Sequence, residues 1–170
     1  MPNSIKLKNY SGVFEEYVAT AAAITPGMLL EKFYSGTTLQ VRAHSTAGGN
    51  AEKIFALEDE LQGNGITDNY AVSVPIQCWF PGRGDQVYAI LADDNVVVIG
   101  DFLESDGNGR LQLHTSDVES FESAEAGSIT VLPEQIVAVA IEALDLTGDS
   151  SAESSESPLG VSKRLRVRIL

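Results

Sequence analysis

The residues able to do chemistry are few. His44 and His114 are the only histidines, and Cys78 is the only cysteine, in a chain of 170 residues. A hydrolytic dyad or triad needs a nucleophile beside an imidazole and a third group to orient it. Ser45 follows His44 directly, but successive strand residues point to opposite faces. No Gly-x-Ser-x-Gly turn is present to expose a serine. Each histidine is therefore expected in a loop or at a strand end, without a catalytic role. One cysteine and two histidines do not make a zinc set. Cys78 lies in the apolar run Val74-Pro-Ile-Gln-Cys-Trp-Phe80 and is expected as a small buried hydrophobe with no disulfide to form.

The carboxylates invite a similar question. Glu58-Asp59-Glu60 and Asp93-Asp94 supply pairs, and a glycosidase works with two carboxylates about 5–9.5 Å apart in an aromatic-lined groove. Trp79 is the single tryptophan and aromatics make up only 7% of the chain, so solvated acidic loops are the expected outcome. Asp106-Gly-Asn-Gly109 with Glu104 has the composition of a calcium loop but not its spacing. A tight hairpin turn accounts for Asn108-Gly109. Gly82-Arg-Gly84 and Gly63-Asn-Gly65 lack the spacing of a phosphate-binding loop. The chain is thus expected to carry no catalytic set, no metal and no cofactor.

Binding chemistry has one clear candidate. Arg164, Arg166 and Arg168 alternate with Leu165, Val167 and Ile169, which gives one basic and one apolar face on a strand. Cross-strand pairing with acids such as Glu142 or Asp145 is the ordinary account of those arginines. Docking on an acidic protein surface is the functional one. The formal net charge of −13 argues against nucleic acid and anionic membranes as partners, because both need a positive face. No apolar stretch approaches the roughly 20 residues of a membrane span. The N-terminal Met-Pro-Asn-Ser-Ile-Lys-Leu-Lys lacks the apolar core of a signal peptide, so synthesis in a cytoplasm is expected.

Strands must position these residues. A hydrophobic content of 44% with 21% charged residues suits a folded chain. The length suits one domain, burying about 70% of its unfolded surface. Strand signals fall at residues 37–43, 72–80, 86–91, 95–99, 110–114, 135–146 and 164–170. Turn-rich stretches such as Pro81-Gly-Arg-Gly-Asp85 and Asp93-Asp-Asn95 separate them. The run at 135–146 is expected as one long, mostly buried strand, and residues 50–61 as a place for a helical turn. The expected fold is all-β, an antiparallel β-barrel or sandwich-like domain over residues 24–170. An extended N-terminal arm is expected over residues 1–23, with mobile acidic loops at 115–128 and 148–158.

Five segments taken in order carry a likeness to a known family. They are Ile24-Thr-Pro-Gly-Met-Leu-Leu-Glu31, Val41-Arg-Ala-His-Ser-Thr-Ala-Gly-Gly49, Ile54-Phe-Ala-Leu-Glu-Asp-Glu-Leu-Gln-Gly-Asn-Gly-Ile66, Gly100-Asp-Phe-Leu-Glu-Ser-Asp-Gly107 and Ile136-Val-Ala-Val-Ala-Ile-Glu-Ala-Leu-Asp145. In this order the chain resembles the phage head decoration, or cement, proteins. The resemblance implies a noncatalytic virion protein on the capsid exterior, commonly a homotrimer, that bridges subunits of the major capsid protein and stabilises the head. It further implies an N-terminal arm laid across the shell. Ile5, Leu7, Tyr10, Val13 and Phe14 would then be capsid or subunit contacts, together with Arg164, Arg166 and Arg168. The acidic stretch at 148–158 has no counterpart in that picture. A carbohydrate- or host-surface-binding β module and a small hydrolase stand as the alternative readings.

Overall fold

Short apolar runs separated by turn residues leave the chain little choice but to pair as strands. A computed structural model describes residues 4–10, 12–19, 24–115, 135–148 and 163–170. In chain order the strands are β1 (Lys6–Lys8), β2 (Val13–Ala19), β3 (Leu29–Ser35), β4 (Thr38–Ala43), β5 (Ile54–Ala56), β6 (Pro75–Phe80) and β7 (Gln86–Ile90). They continue as β8 (Val96–Val97), β9 (Phe102–Ser105), β10 (Leu111–Leu113), β11 (Ala138–Ala140), β12 (Leu144–Asp145) and β13 (Arg164–Ile169). A 3-10 turn at Glu60–Gln62 lies at the end of the stretch where a helical turn was expected. No helix among those residues is long and apolar enough to cross a membrane.

The fold is all-β, in two stacked parts. Five strands close a barrel in the order β2-β4-β3-β5-β6, and six form a sheet in the order β1-β7-β13-β11-β9-β10. β8 and β12 add a two-stranded ribbon. Pairing is antiparallel except at the barrel seam, where β2 meets β4 in parallel at Val18↔Gln40 and Ala19↔Val41. Ala19, Leu30, Val41, Ile54, Ala56, Ile76 and Cys78 form the cluster that fills the barrel, which at this strand number has room for side chains alone. The alternate residues of the barrel wall, Leu29, Phe55 and Trp79, belong to a second cluster. That cluster includes Val87, Ala89, Leu103, Ala138, Leu165, Val167 and Ile169 of the sheet, so barrel and sheet share one core.

The N-terminal stretch is extended, but it is no free arm. Lys6–Lys8 pairs with β7, and Val13–Ala19 supplies a wall of the barrel opposite β6. Two carboxylates from far along the chain hold it. Glu58 accepts hydrogen bonds from the Ser4 hydroxyl and, at 3.0 Å, from the Ile5 N–H. Asp85 accepts from the Tyr10 N–H at 2.6 Å. The long strand expected at 135–146 is divided as well. Ala138–Ala140 pairs with β13 and β9, but the next carboxylate, Glu142, takes the Arg166 N–H at 2.7 Å. A side chain thus replaces a ladder carbonyl, and the backbone turns away to pair Leu144 with Val97. The acidic stretches at 115–128 and 148–158 lie, apart from Thr115 and Gly148, outside the described residues.

Candidate functional site

Among the described residues, both histidines are engaged in holding the fold. His44, at the end of β4, is only 2% exposed. Its Nδ1 lies 2.7 Å from the Ser105 hydroxyl and its Nε2 lies 3.0 Å from the Asn50 carbonyl oxygen. Both ring nitrogens are therefore used, and the pair ties the barrel to β9. Ser45 donates to Glu31 Oε1 at 2.7 Å, and the other oxygen of that carboxylate lies 3.9 Å from His44 Nε2. Glu31 also binds Arg42 at 2.6 Å. Burial acts to raise the Glu31 pKa, but these two partners outweigh it and hold the carboxyl below its usual range.

Glu104 is the centre of a second polar cluster. It is 4% exposed and meets His114 Nδ1 at 2.5 Å, while accepting from Gln112 and Gln135, each at 3.0 Å. Asp93 corrects the expectation of solvated loop carboxylates. Its two oxygens bind Arg110 Nη1 at 2.9 Å and Lys163 Nζ at 3.0 Å, and Arg110 Nε reaches Asp106 at 2.7 Å. Glu58 and Asp59 are likewise buried. The hairpin turn at Asn108-Gly109 is present between β9 and β10, and Asp106 Oδ1 caps it by accepting from the Asn108 and Arg110 N–H groups. Among the described residues no three acids, histidines or cysteines converge to hold a metal ion. An open cleft of about 280 Å³ lies beside Lys6, Phe14, Leu57, Glu60, Leu61 and Gln77.

The expected contact residues divide. Tyr10 (65% exposed), Val13 and Phe14 are on the surface, with Lys8 over the Tyr10 ring and Lys6 over the Phe14 ring. Phe14 stacks on the buried Trp79 at 6.3 Å between centroids. Leu7 is half-buried against the core, and Ile5 is fully buried, so Ile5 is a core residue rather than a contact. Arg164 is a second correction. It is 2% exposed, because the segments at Pro26 and Ile66 lie over it, and Nη2 donates to the carbonyl oxygens of both at 3.0 and 2.7 Å. Burial pulls its pKa down to about 10 against the neighbouring Tyr88 and Glu58 charges, which still leaves a cation at neutral pH. Arg166 takes the cross-strand role, with Nε 2.8 Å from Glu142 Oε2. Arg168 faces solvent.

Sequence reasoning missed a surface. Val96, Val98, Ile99 and Phe102 are all about half exposed or more, with Ile99 at 70%. The run Val96-Val-Val-Ile99 has the composition of a buried strand, so nothing local marks it as surface. Gly100, with φ of 100°, closes the turn that turns Ile99 outward. The other large exposed apolar side chains include Tyr34 at the β3–β4 hairpin and Leu61 at the 3-10 turn.

No family model matches the sequence, and no curated protein does. The fold does have a counterpart among solved structures. It is similar to the base of the head fibre gp8.5 of bacteriophage phi29, with a TM-score of 0.54 at 9% sequence identity. The likeness covers 94% of this chain and 95% of that one.

Proposed function

We propose that this protein is a noncatalytic structural component of a phage virion, seated on the outer capsid surface. In this reading it stabilises the head by bridging subunits of the major capsid protein as a homotrimer. The observation that carries the reading is the fold likeness to a phage head fibre base, which runs through nearly the whole of both chains. The sequence resemblance to decoration proteins leads to the same class. The site geometry is compatible with it, since both histidines and the clustered carboxylates are committed to structural contacts. A small protein can strengthen a shell by adding contact area across its joints, with about 800 Å² per partner sufficing for a specific interface. Several such contacts on one trimer multiply the effective affinity.

The rival readings lose support from particular residues. A carbohydrate-binding module needs an aromatic platform; the single tryptophan, Trp79, is fully buried, and Tyr10, Phe14, Tyr34 and Phe102 are the large exposed rings. A hydrolase needs an accessible imidazole beside a nucleophile, whereas His44 is enclosed by Ser105 and Asn50. The deciding measurement is copy number in purified virions by quantitative peptide mass spectrometry. A number comparable to the major capsid protein is expected. A few copies per particle would replace the reading with a tail or vertex component, and absence from the particle would end it.

A further inference from the structure

We propose that the outward face of the six-stranded sheet, with the apolar turn beside it, is the surface that docks on the capsid, and that it takes an acidic protein surface carrying an apolar recess. This rests on the reading above and names the face and the partner's chemistry.

Strand register assembles the face. Lys8 pairs with Gln86, Gln86 with Arg168, Arg168 with Val139, and Val139 with Phe102. Directly paired residues share a face, so Gln86, Arg168, Val139 and Phe102 form one row across four strands, about 14 Å long at roughly 4.8 Å per strand; the register of β1 shifts between Lys6 and Lys8, and Lys8 joins the row by its exposure. The apolar alternates Val167, Leu103 and Ala138 point into the shared core. One end of the row is basic, with Lys8 and Arg168 exposed; the other is apolar, with Phe102 half exposed, and Val139 between them is only 8% exposed.

The row leads directly into the turn at residues 98–101. There the Asp101 N–H donates to the Val98 carbonyl at 3.2 Å, and the Val98 N–H donates back to Asp101 Oδ2 at 2.9 Å. The Gly100 N–H ties the turn to the Ala140 carbonyl at 3.0 Å. Ile99 is thus held outward by three hydrogen bonds before any partner arrives, and little freedom remains to be lost on docking. Val96, Val98, Ile99 and Phe102 are four large apolar side chains exposed within seven residues of the chain, unlike the singly scattered hydrophobics of an ordinary surface.

Charge chooses the partner. The molecule carries −13, and of the acids beside this face Glu142 is the one paired with a cation. Glu142 holds Arg166, Asp101 caps the turn, and Asp145 accepts from the Thr147 N–H at 2.9 Å. Lys8 and Arg168 carry the positive charge at one end of the row, while Asp101 and Asp145, bonded to N–H groups, stay anionic beside its apolar end. An acidic partner surface complements that positive end and is repelled by the rest of the molecule, which fixes orientation as well as affinity.

The experiment titrates purified protein onto expanded heads that lack it, at about 50 and 300 mM salt. It uses the wild type, Ile99→Asp, Arg168→Glu and, away from the face, Tyr34→Asp. Thermal melting checks that each variant folds, and sedimentation reports its oligomeric state. Expected are a loss of about tenfold or more in affinity for Ile99→Asp and Arg168→Glu, a change within about twofold for Tyr34→Asp, and weaker wild-type binding at high salt. Wild-type binding with Ile99→Asp and Arg168→Glu unaffected overturns the face and leaves the proposed function standing. No binding by the wild type overturns both. Dissociation of an oligomer by Ile99→Asp would assign the face to a second copy of this chain and overturn the capsid as its occupant.

Discussion

Replacing Asp85 with alanine should detach the N-terminal strand from the sheet. The Asp85 side chain is fully buried and joins two segments, accepting from the Tyr10 N–H at 2.6 Å and the Gly82 N–H at 2.8 Å. Each is a hydrogen bond to a carboxylate, worth about 1.5–3 kcal/mol, and the Tyr10 amide sits near the surface where water recovers part of the loss. The expected cost is about 2–4 kcal/mol, a large share of the roughly 5–15 kcal/mol that holds a domain folded. At about 2–4 °C per kcal/mol for a chain of this size, the melting temperature should fall by about 4–16 °C. Urea denaturation gives the free energy directly, and amide exchange at Lys6–Lys8 should lose protection before the barrel strands do. Asp85→Asn should retain little of the stability, because its amide N–H would face one of the two donors. Deleting residues 1–10 should cost more, since it removes the fully buried Ile5, worth about 1.5–3 kcal/mol of burial, and the strand with it. A change below about 0.5 kcal/mol in Asp85→Ala, with exchange at Lys6–Lys8 unaltered, would refute the claim that this carboxylate anchors the segment.

Other perturbations read different parts of the core. A Cβ at Gly12 would lie 1.9 Å from Trp79 Nε1, and that indole is fully buried, so Gly12→Ala should cost about 1–3 kcal/mol. The single tryptophan should report the shift as altered fluorescence and near-ultraviolet dichroism. Arg164→Met should cost about 2–4 kcal/mol in urea denaturation, because the Pro26 and Ile66 carbonyls lose their donor in a buried place. Burial, followed by the nearby Glu15 charge, pushes the Cys78 thiol up from 9.0 to about 12. The native state then holds that proton more tightly than the unfolded chain, so its contribution is intact below pH 9 and is lost as pH rises toward 12. Cys78→Ala should flatten part of that alkaline loss, leaving the part due to Tyr17, Tyr70 and Tyr88, and a thiol reagent at pH 8 should label Cys78 only as fast as the protein opens.

The strands that the sequence revealed and those it hid differ in how many of their faces are wet. β13 alternates cleanly because Leu165, Val167 and Ile169 meet the core while Arg166 and Arg168 meet water. β5 shows no alternation, because Ile54 and Ala56 face the barrel interior and Phe55 faces the shared core, leaving all three buried. In β3, Leu29 and Leu30 are likewise buried on opposite sides. β2 fails in the other direction, since its first four residues are all exposed and carry no apolar rhythm. Period two is a signature of a half-buried strand, and a barrel wall pressed against a second sheet is not one.

The surface chemistry was harder to foresee for a related reason. Alternation placed Arg164 with Arg166 and Arg168, and their common side of the strand is correct. Its burial depends on Pro26 and Ile66, 138 and 98 residues earlier, which no local pattern contains. The N-terminal stretch is governed the same way, since its partners Glu58 and Asp85 stand 53 and 75 residues from Ile5 and Tyr10. A segment whose polar backbone groups are met by side chains that distant has the local composition of an arm and the energetics of a strand. The same logic runs in reverse at Val96-Val-Val-Ile99, where an apolar run that would suit a core is held at the surface. Its exposure is stabilised by the Gly100–Ala140 and Val98–Asp101 hydrogen bonds, which fix the turn outward whether or not a partner covers it. A fold that spends backbone hydrogen bonds on displaying isoleucine to water carries a standing hydrophobic cost, which burial against a partner would remove.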